Sequence, residues 1–171
     1  MRHYKDLLIR ILLAFLLHPS VFYVVFAPLT LFLSSLLLGM YHPSISLTAK
    51  TLTLQGQVLN FVTGCIASSA YYLLTLIILL TKNITWKTRL KAWLLGILLI
   101  FGMNLLRIWI IVFILMQFGK NWFDTFHLVF WDFLGTVYIF LVWLFLIKKF
   151  KITSIPVYDD VKELYRSIKH K

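Results

Sequence analysis

The chain has 171 residues, of which 61% are hydrophobic and 13% charged, whereas a soluble domain carries roughly 25% charged residues. That balance excludes a soluble monomer and leaves length for one membrane domain without a separate soluble one. The formal net charge of +11 would suit a nucleic-acid partner, but its placement does not. Arg2, Lys5 and Arg10 precede the first long uncharged run. Lys82, Lys87, Arg89 and Lys91 fill one short connection, and Lys148, Lys149, Lys151, Lys162, Arg166, Lys169 and Lys171 lie in the tail. Only Lys50 and Lys120 fall in the two remaining connections. Such asymmetry puts the basic connections on the cytoplasmic side, so the expected surroundings are membrane lipids, and no nucleic acid.

Residues 11–40 form an uncharged run of thirty residues. One straight helix of that length would measure about 45 Å, against a hydrocarbon core of roughly 30 Å. His18-Pro19-Ser20 interrupts it, because the residue before a proline resists helical geometry. The pattern predicts an interfacial or tilted helix over 4–17 and a first span over 21–40. A signal peptide is the rival reading of the N-terminal segment, but the apolar run continues past it and shows no clear small-residue cleavage site.

Residues 41–60 mix Thr, Ser and Gln with apolar residues and carry turn signals at His42-Pro43 and Gly56. They are expected to form an outer loop with room for short extended pieces. A second span is predicted over 62–80, a basic inner connection over 81–91, a third span over 92–116, a short outer loop over 117–126 and a fourth span over 127–147. Trp86 and Trp93 mark the inner boundary and Trp122 and Phe123 the outer one, as interfacial aromatics do. The expected fold is an all-α membrane protein: a bundle of about four transmembrane helices plus an N-terminal interfacial or tilted helix. It forms a single transmembrane domain over 1–150, followed by a basic cytoplasmic tail over 151–171. A multi-pass protein of the cell membrane with both termini in the cytoplasm is the expected topology.

Polar residues inside a span are expensive and so draw functional readings. Cys65 is the one cysteine, which rules out an intramolecular disulfide and a CxxC pair. It is expected in the first turn of the second span, behind Asn60 and Thr63-Gly64 as cap residues, where free N–H groups favour a thiolate. Taken alone, it reads more readily as a small buried hydrophobe. Arg107 is expected about ten residues below the outer end of the third span, roughly 15 Å of helix rise, where it needs a partner or a wet cavity. A structural ion pair with Asp132 is an equal reading and does not exclude a role in chemistry. Asn104 shares the face of Arg107, for an interhelical hydrogen bond or a substrate contact. His127 opens the fourth span, where a lone histidine is ordinarily a solvated cap residue. Convergence outweighs these separate readings. With alternating chain direction, Cys65, Arg107 and His127 all face the outer leaflet. Cysteine with histidine supplies a nucleophile and its base, and a cation stabilises a thiolate or an oxyanion. No metal or cofactor is expected.

At these residues the sequence resembles the exosortase and archaeosortase family of membrane-embedded cysteine transpeptidases. The resemblance rests on Gly64-Cys65-Ile66-Ala67-Ser68, then Asn104-Leu105-Leu106-Arg107-Ile108, then Phe126-His127 with Gly135 further on. It covers roughly residues 57–140. The usual Cys-Ser-Gly of the family stands here as Cys65-Ile66-Ala67, and the short chain looks most like a minimal archaeal member. The resemblance implies a catalytic set of Cys65, Arg107 and His127, with Asn104 and Asp132 binding substrate or supporting that set. It also implies exported protein substrates with a C-terminal sorting signal, made of a short motif, one transmembrane helix and a basic cluster. These would be cut near the outer membrane face and passed to a lipid or glycan acceptor.

Two other readings stand beside it. A non-enzymatic membrane assembly partner would use Cys65 for packing and Arg107 with Asp132 as a structural pair. A small transporter or channel would line a path with polar residues, but the intramembrane charges cluster in the outer half. A haem-carrying bundle would need paired axial ligands, and His127 has no obvious histidine partner in the spans.

Overall fold

The computed structural model describes residues 2–40, 46–48, 51–54, 57–60, 63–129, 134–154 and 156. The long N-terminal apolar run is divided into helix α1 (Arg2–Leu16) and helix α2 (Pro19–Gly39). Local chemistry makes the break. Pro19 sits at the start of α2, where its missing N–H costs nothing. His18 caps that helix: its Nδ1 accepts from the Ser20 N–H at 3.3 Å and lies 2.9 Å from Ser20 Oγ. Helix α1 packs against helix α3 (Ser68–Leu80), with the Tyr72 hydroxyl donating to the Ala14 carbonyl at 3.5 Å. Arg10 is fully buried and pairs with Asp6 at 3.1 Å, so α1 is a packed member of the bundle.

Between α2 and α3, within the expected outer loop over 41–60, the short extended pieces pair into a small sheet. Strands β1 (Ser46–Thr48), β2 (Thr51–Leu54) and β3 (Gln57–Asn60) form an antiparallel meander in the order β1-β2-β3. Its register pairs Leu47 with Leu52 and Leu52 with Leu59. Thr and Leu alternate through Thr51-Leu52-Thr53-Leu54, the two-residue period of a strand.

Helix α4 (Trp86–Phe118) has 33 residues, about 50 Å of rise, and α2, α3 and helix α6 (Gly135–Phe150) all pack on it. Helices α2 and α4 are long and apolar enough to cross a membrane. Only 22% of the apolar window of α2 is buried, against 44% in α4, so most of that surface needs a non-aqueous neighbour. Val24 (71% exposed), Leu98 (65%) and Phe140 (58%) repeat the pattern on three helices. Inside, α3, α4 and α6 share a core that includes Leu74, Ile78, Ile100, Val142 and Leu146. Gly96 permits the close approach: a Cβ there would lie 2.6 Å from Leu74 Cδ2 and 3.0 Å from Leu146 Cδ1. Two polar ties fix the packing. Trp93 Nε1 donates to Thr75 Oγ1 at 2.9 Å, and the Tyr138 hydroxyl donates to the Leu99 carbonyl at 3.0 Å.

The expected outer loop over 117–126 is mostly helical. Helix α4 runs to Phe118, the chain turns at Gly119, and helix α5 (Lys120–Val129) follows. Gly119 has φ 82°, and its N–H bonds the Leu115 carbonyl at 3.1 Å; glycine reaches that geometry without a Cβ penalty. Helix α5 packs on α4, and α6 covers residues 135–147 of the expected fourth span over 127–147, whose residues 130–133 lie outside the described ones. His127 sits near the C-terminal end of α5. Asp132, and the tail beyond residue 156, lie outside the described residues.

Candidate functional site

Cys65 lies in a 3-10 turn (Thr63–Ile66) that leads from the meander into α3. It precedes α3, where the sequence predicted it inside the first turn, and the expected caps Asn60 and Thr63-Gly64 do not cap that helix. The N-cap is Ala67, which makes no side-chain cap bond and takes left-handed geometry, φ 57° and ψ 31°. A Cβ makes that conformation cost roughly 1–2 kcal/mol. Packing holds the turn in place. Ile66 is fully buried among Ala27, Leu31 and Leu38 of α2 and Ile108 and Val112 of α4. Cys65, half-buried, packs at the edge of that cluster.

From α4, Asn104 is 4% exposed and donates Nδ2 to the Cys65 carbonyl at 2.9 Å. This bond fixes the backbone of the cysteine turn and engages the carbonyl, not the sulfur. Asn104 Oδ1 has no hydrogen-bond partner among the described residues. Arg107, one helical turn further along α4, lies within electrostatic reach of both Cys65 and Tyr71. Tyr71 is fully buried, with its ring stacked on Phe26 at a centroid distance of 4.2 Å. Its hydroxyl also has no partner among the described residues. Sequence reasoning passed over Tyr71 because an aromatic inside an apolar helix reads as packing. The available signal was its hydroxyl, which a buried tyrosine ordinarily satisfies.

Beside the turn lies a partly open cavity of about 50 Å³. Ala67 and Ala70 line it from the start of α3, Met103, Asn104 and Arg107 from α4, and Gly135 and Tyr138 from α6. The structure thus gathers Cys65, Asn104 and Arg107 in one place. It does not place the His127 side chain, which lies outside the described residues, and Asp132 lies outside them entirely. Among the described residues no group of three His, Cys, Asp or Glu side chains is placed to hold a metal ion. A thiol near a guanidinium is chemically suited to thiolate formation and to attack on a carbonyl whose developing negative charge the cation can meet. No protein-family model matches the chain, and no curated protein and no solved structure matches it.

Proposed function

We propose that the chain is a membrane-embedded cysteine peptidase or transpeptidase that cleaves the C-terminal sorting tail of exported proteins and transfers them to a lipid or glycan acceptor. The observation that carries this reading is the contact of α4 with the cysteine turn. Asn104 bonds the Cys65 carbonyl at 2.9 Å, and Arg107 reaches the same cysteine electrostatically. Two separate motifs of the resemblance therefore meet. Ala67 adds support, since its left-handed backbone stands where the family pattern has glycine, the residue such a backbone favours.

In this reading α2, α3 with its preceding turn, α4 and α6 cross the membrane. The connection at 81–85 and both termini are cytoplasmic. Lys91 to Arg107 is about 24 Å of helix, so in a core of roughly 30 Å Arg107 approaches the outer boundary, where an exported substrate and water meet it. Arg107 favours the Cys65 thiolate, and the thiol proton passes to His127. The sulfur attacks the scissile carbonyl, and the Arg107 donors stabilise the oxyanion. The C–N bond then breaks, His127 returns the proton to the leaving amine, and a thioester remains on Cys65. A hydroxyl or amine of the acceptor displaces the sulfur and releases the product. Asn104 positions the turn, and Asp132 is assigned as a supporting partner of Arg107. Co-expression with a tailed substrate, followed by mass spectrometry of the trapped protein, tests the scheme. A substrate adduct on Cys65 is expected. Full processing by Cys65→Ala would end the proposal and leave a non-enzymatic assembly partner as the better account.

A further inference from the structure

We infer that the cavity beside the cysteine turn is a subsite for one small apolar side chain of the substrate, next to the scissile carbonyl; this rests on the peptidase reading above. The cavity exists where large side chains are missing, at Ala67, Ala70 and Gly135. Its volume of about 50 Å³ compares with about 10–15 Å³ for one water. It therefore takes on the order of four heavy atoms: the side chains of Ala, Val and Pro fit, and that of Phe does not. Its walls are predominantly apolar; the Tyr138 hydroxyl is engaged with the Leu99 carbonyl, and Asn104 and Arg107 are polar.

Those two residues complement a peptide unit. Asn104 gives Nδ2 to the Cys65 carbonyl and retains an unpartnered, buried acceptor in Oδ1. A guanidinium offers only donors. A peptide backbone supplies the matching N–H and C=O, while its side chain uses the apolar walls; an inorganic anion would use neither the acceptor nor the walls. A lipid chain would need a far longer channel than this volume provides. Ala67 belongs both to the cavity and to the segment that follows Cys65 directly, so a residue seated there brings its own backbone beside the cysteine turn.

The test uses the full chain in detergent micelles with acetyl-aminoacyl chloromethyl ketones carrying Gly, Ala, Val or Phe. The Cys65 thiolate displaces chloride to form a thioether, and intact mass gives the rate. Each rate is divided by that of chloroacetamide, which reports thiol reactivity without a side chain. On this scale Ala and Val should react about tenfold faster than Gly and Phe. Met103→Ala, which deepens the cavity, should move the optimum to Phe. Ala70→Leu, which fills it, should lower Val to the Gly value, and either variant decides if the other fails to fold. A flat series, or a preference that the folded variants leave unmoved, overturns the subsite while a reactive Cys65 keeps the peptidase reading intact. A Cys65 slower toward chloroacetamide than a model thiol would remove the peptidase reading and the subsite together.

Discussion

Arg89 and Arg107 belong to the same helix, yet their surroundings have opposite characters. Arg89, near the N-terminal end of α4, is buried and bound to backbone. Its Nη1 donates to the carbonyls of Ile78 at 2.7 Å and Leu79 at 2.6 Å, and Nη2 donates to Thr81 at 3.0 Å. The guanidinium also lies 4.9 Å from the centre of the Trp86 ring. These are carbonyls at the end of α3, which have no acceptor role left inside their own helix, and a cation there meets the negative end of the helix dipole. Arg89 closes the connection between α3 and α4. Arg107, about five turns further along the same helix, stands beside a thiol, a buried tyrosine and a cavity. Among the described residues, the buried side-chain oxygens without a partner are those of Thr30, Ser34, Tyr71 and Asn104. All four lie on the helices that pack around the cysteine turn. Buried polar groups in a finished fold are satisfied, so these atoms mark the surroundings of the cysteine turn as the place that the proposed substrate would complete.

Exchanging the two arginines for neutral residues should separate these roles. The largest effect belongs to Arg107→Gln: Cys65 acylation by a tailed substrate should fall about 100- to 1000-fold. Unfolding in mixed micelles should shift by less than about 1 kcal/mol. Arg107→Lys should not rescue acylation, because a point charge lacks the planar fork of donors. Unchanged acylation with a large stability loss would make Arg107 a second Arg89. That result would end the contrast between the two arginines.

The converse substitution, Arg89→Met, leaves three backbone carbonyls without their donor. A loss of about 3 kcal/mol is expected, given the cost of unmade buried hydrogen bonds and the strength of those to charged groups. The measurement is denaturant unfolding in the same micelles. The folded fraction should alkylate at Cys65 at the original rate, because nothing around the cysteine turn has changed. If Arg89→Met unfolds like the parent chain, the connection between α3 and α4 is not held as the hydrogen bonds indicate.

What the sequence revealed of this contrast follows from the range of the forces involved. The break at His18-Pro19 was legible because a proline acts on its immediate neighbours. The meeting of Cys65 with Asn104 and Arg107 was legible because helical period and alternating chain direction carry over long distances. The role of Arg89 was not, since the carbonyls of Ile78, Leu79 and Thr81 converge only when α3 and α4 are packed; in the sequence it is one more inner basic residue. The 3-10 turn escaped for a similar reason, as the burial of Ile66 between α2 and α4 imposes it. The segment 117–126 reads as a loop in the sequence because Gln117, Gly119, Lys120, Asn121, Asp124 and Thr125 give it the polar composition of one, and the packing of α5 on α4 shows only in the fold.

The smallest effect tests whether the cysteine turn has the strained geometry that links it to the family pattern. Ala67 has φ 57° and ψ 31°, where a Cβ costs roughly 1–2 kcal/mol. Glycine removes that cost but adds unfolded-state freedom of about 0.4–1 kcal/mol. Ala67→Gly should therefore stabilise the chain by about 0.5–1 kcal/mol, and Ala67→Val should destabilise it. The increment should be the same in the Arg89→Met background, because distant sites without shared partners add. Cys65 should keep its alkylation rate in Ala67→Gly, since the Asn104 bond to the turn is made to backbone. A loss of stability on introducing glycine would mean that residue 67 is not left-handed in the membrane. The proposed step from Cys65-Ile66-Ala67 to the Cys-Ser-Gly pattern would then lose its physical ground, and the proposed site would have to be argued from Arg107 and Asn104 alone.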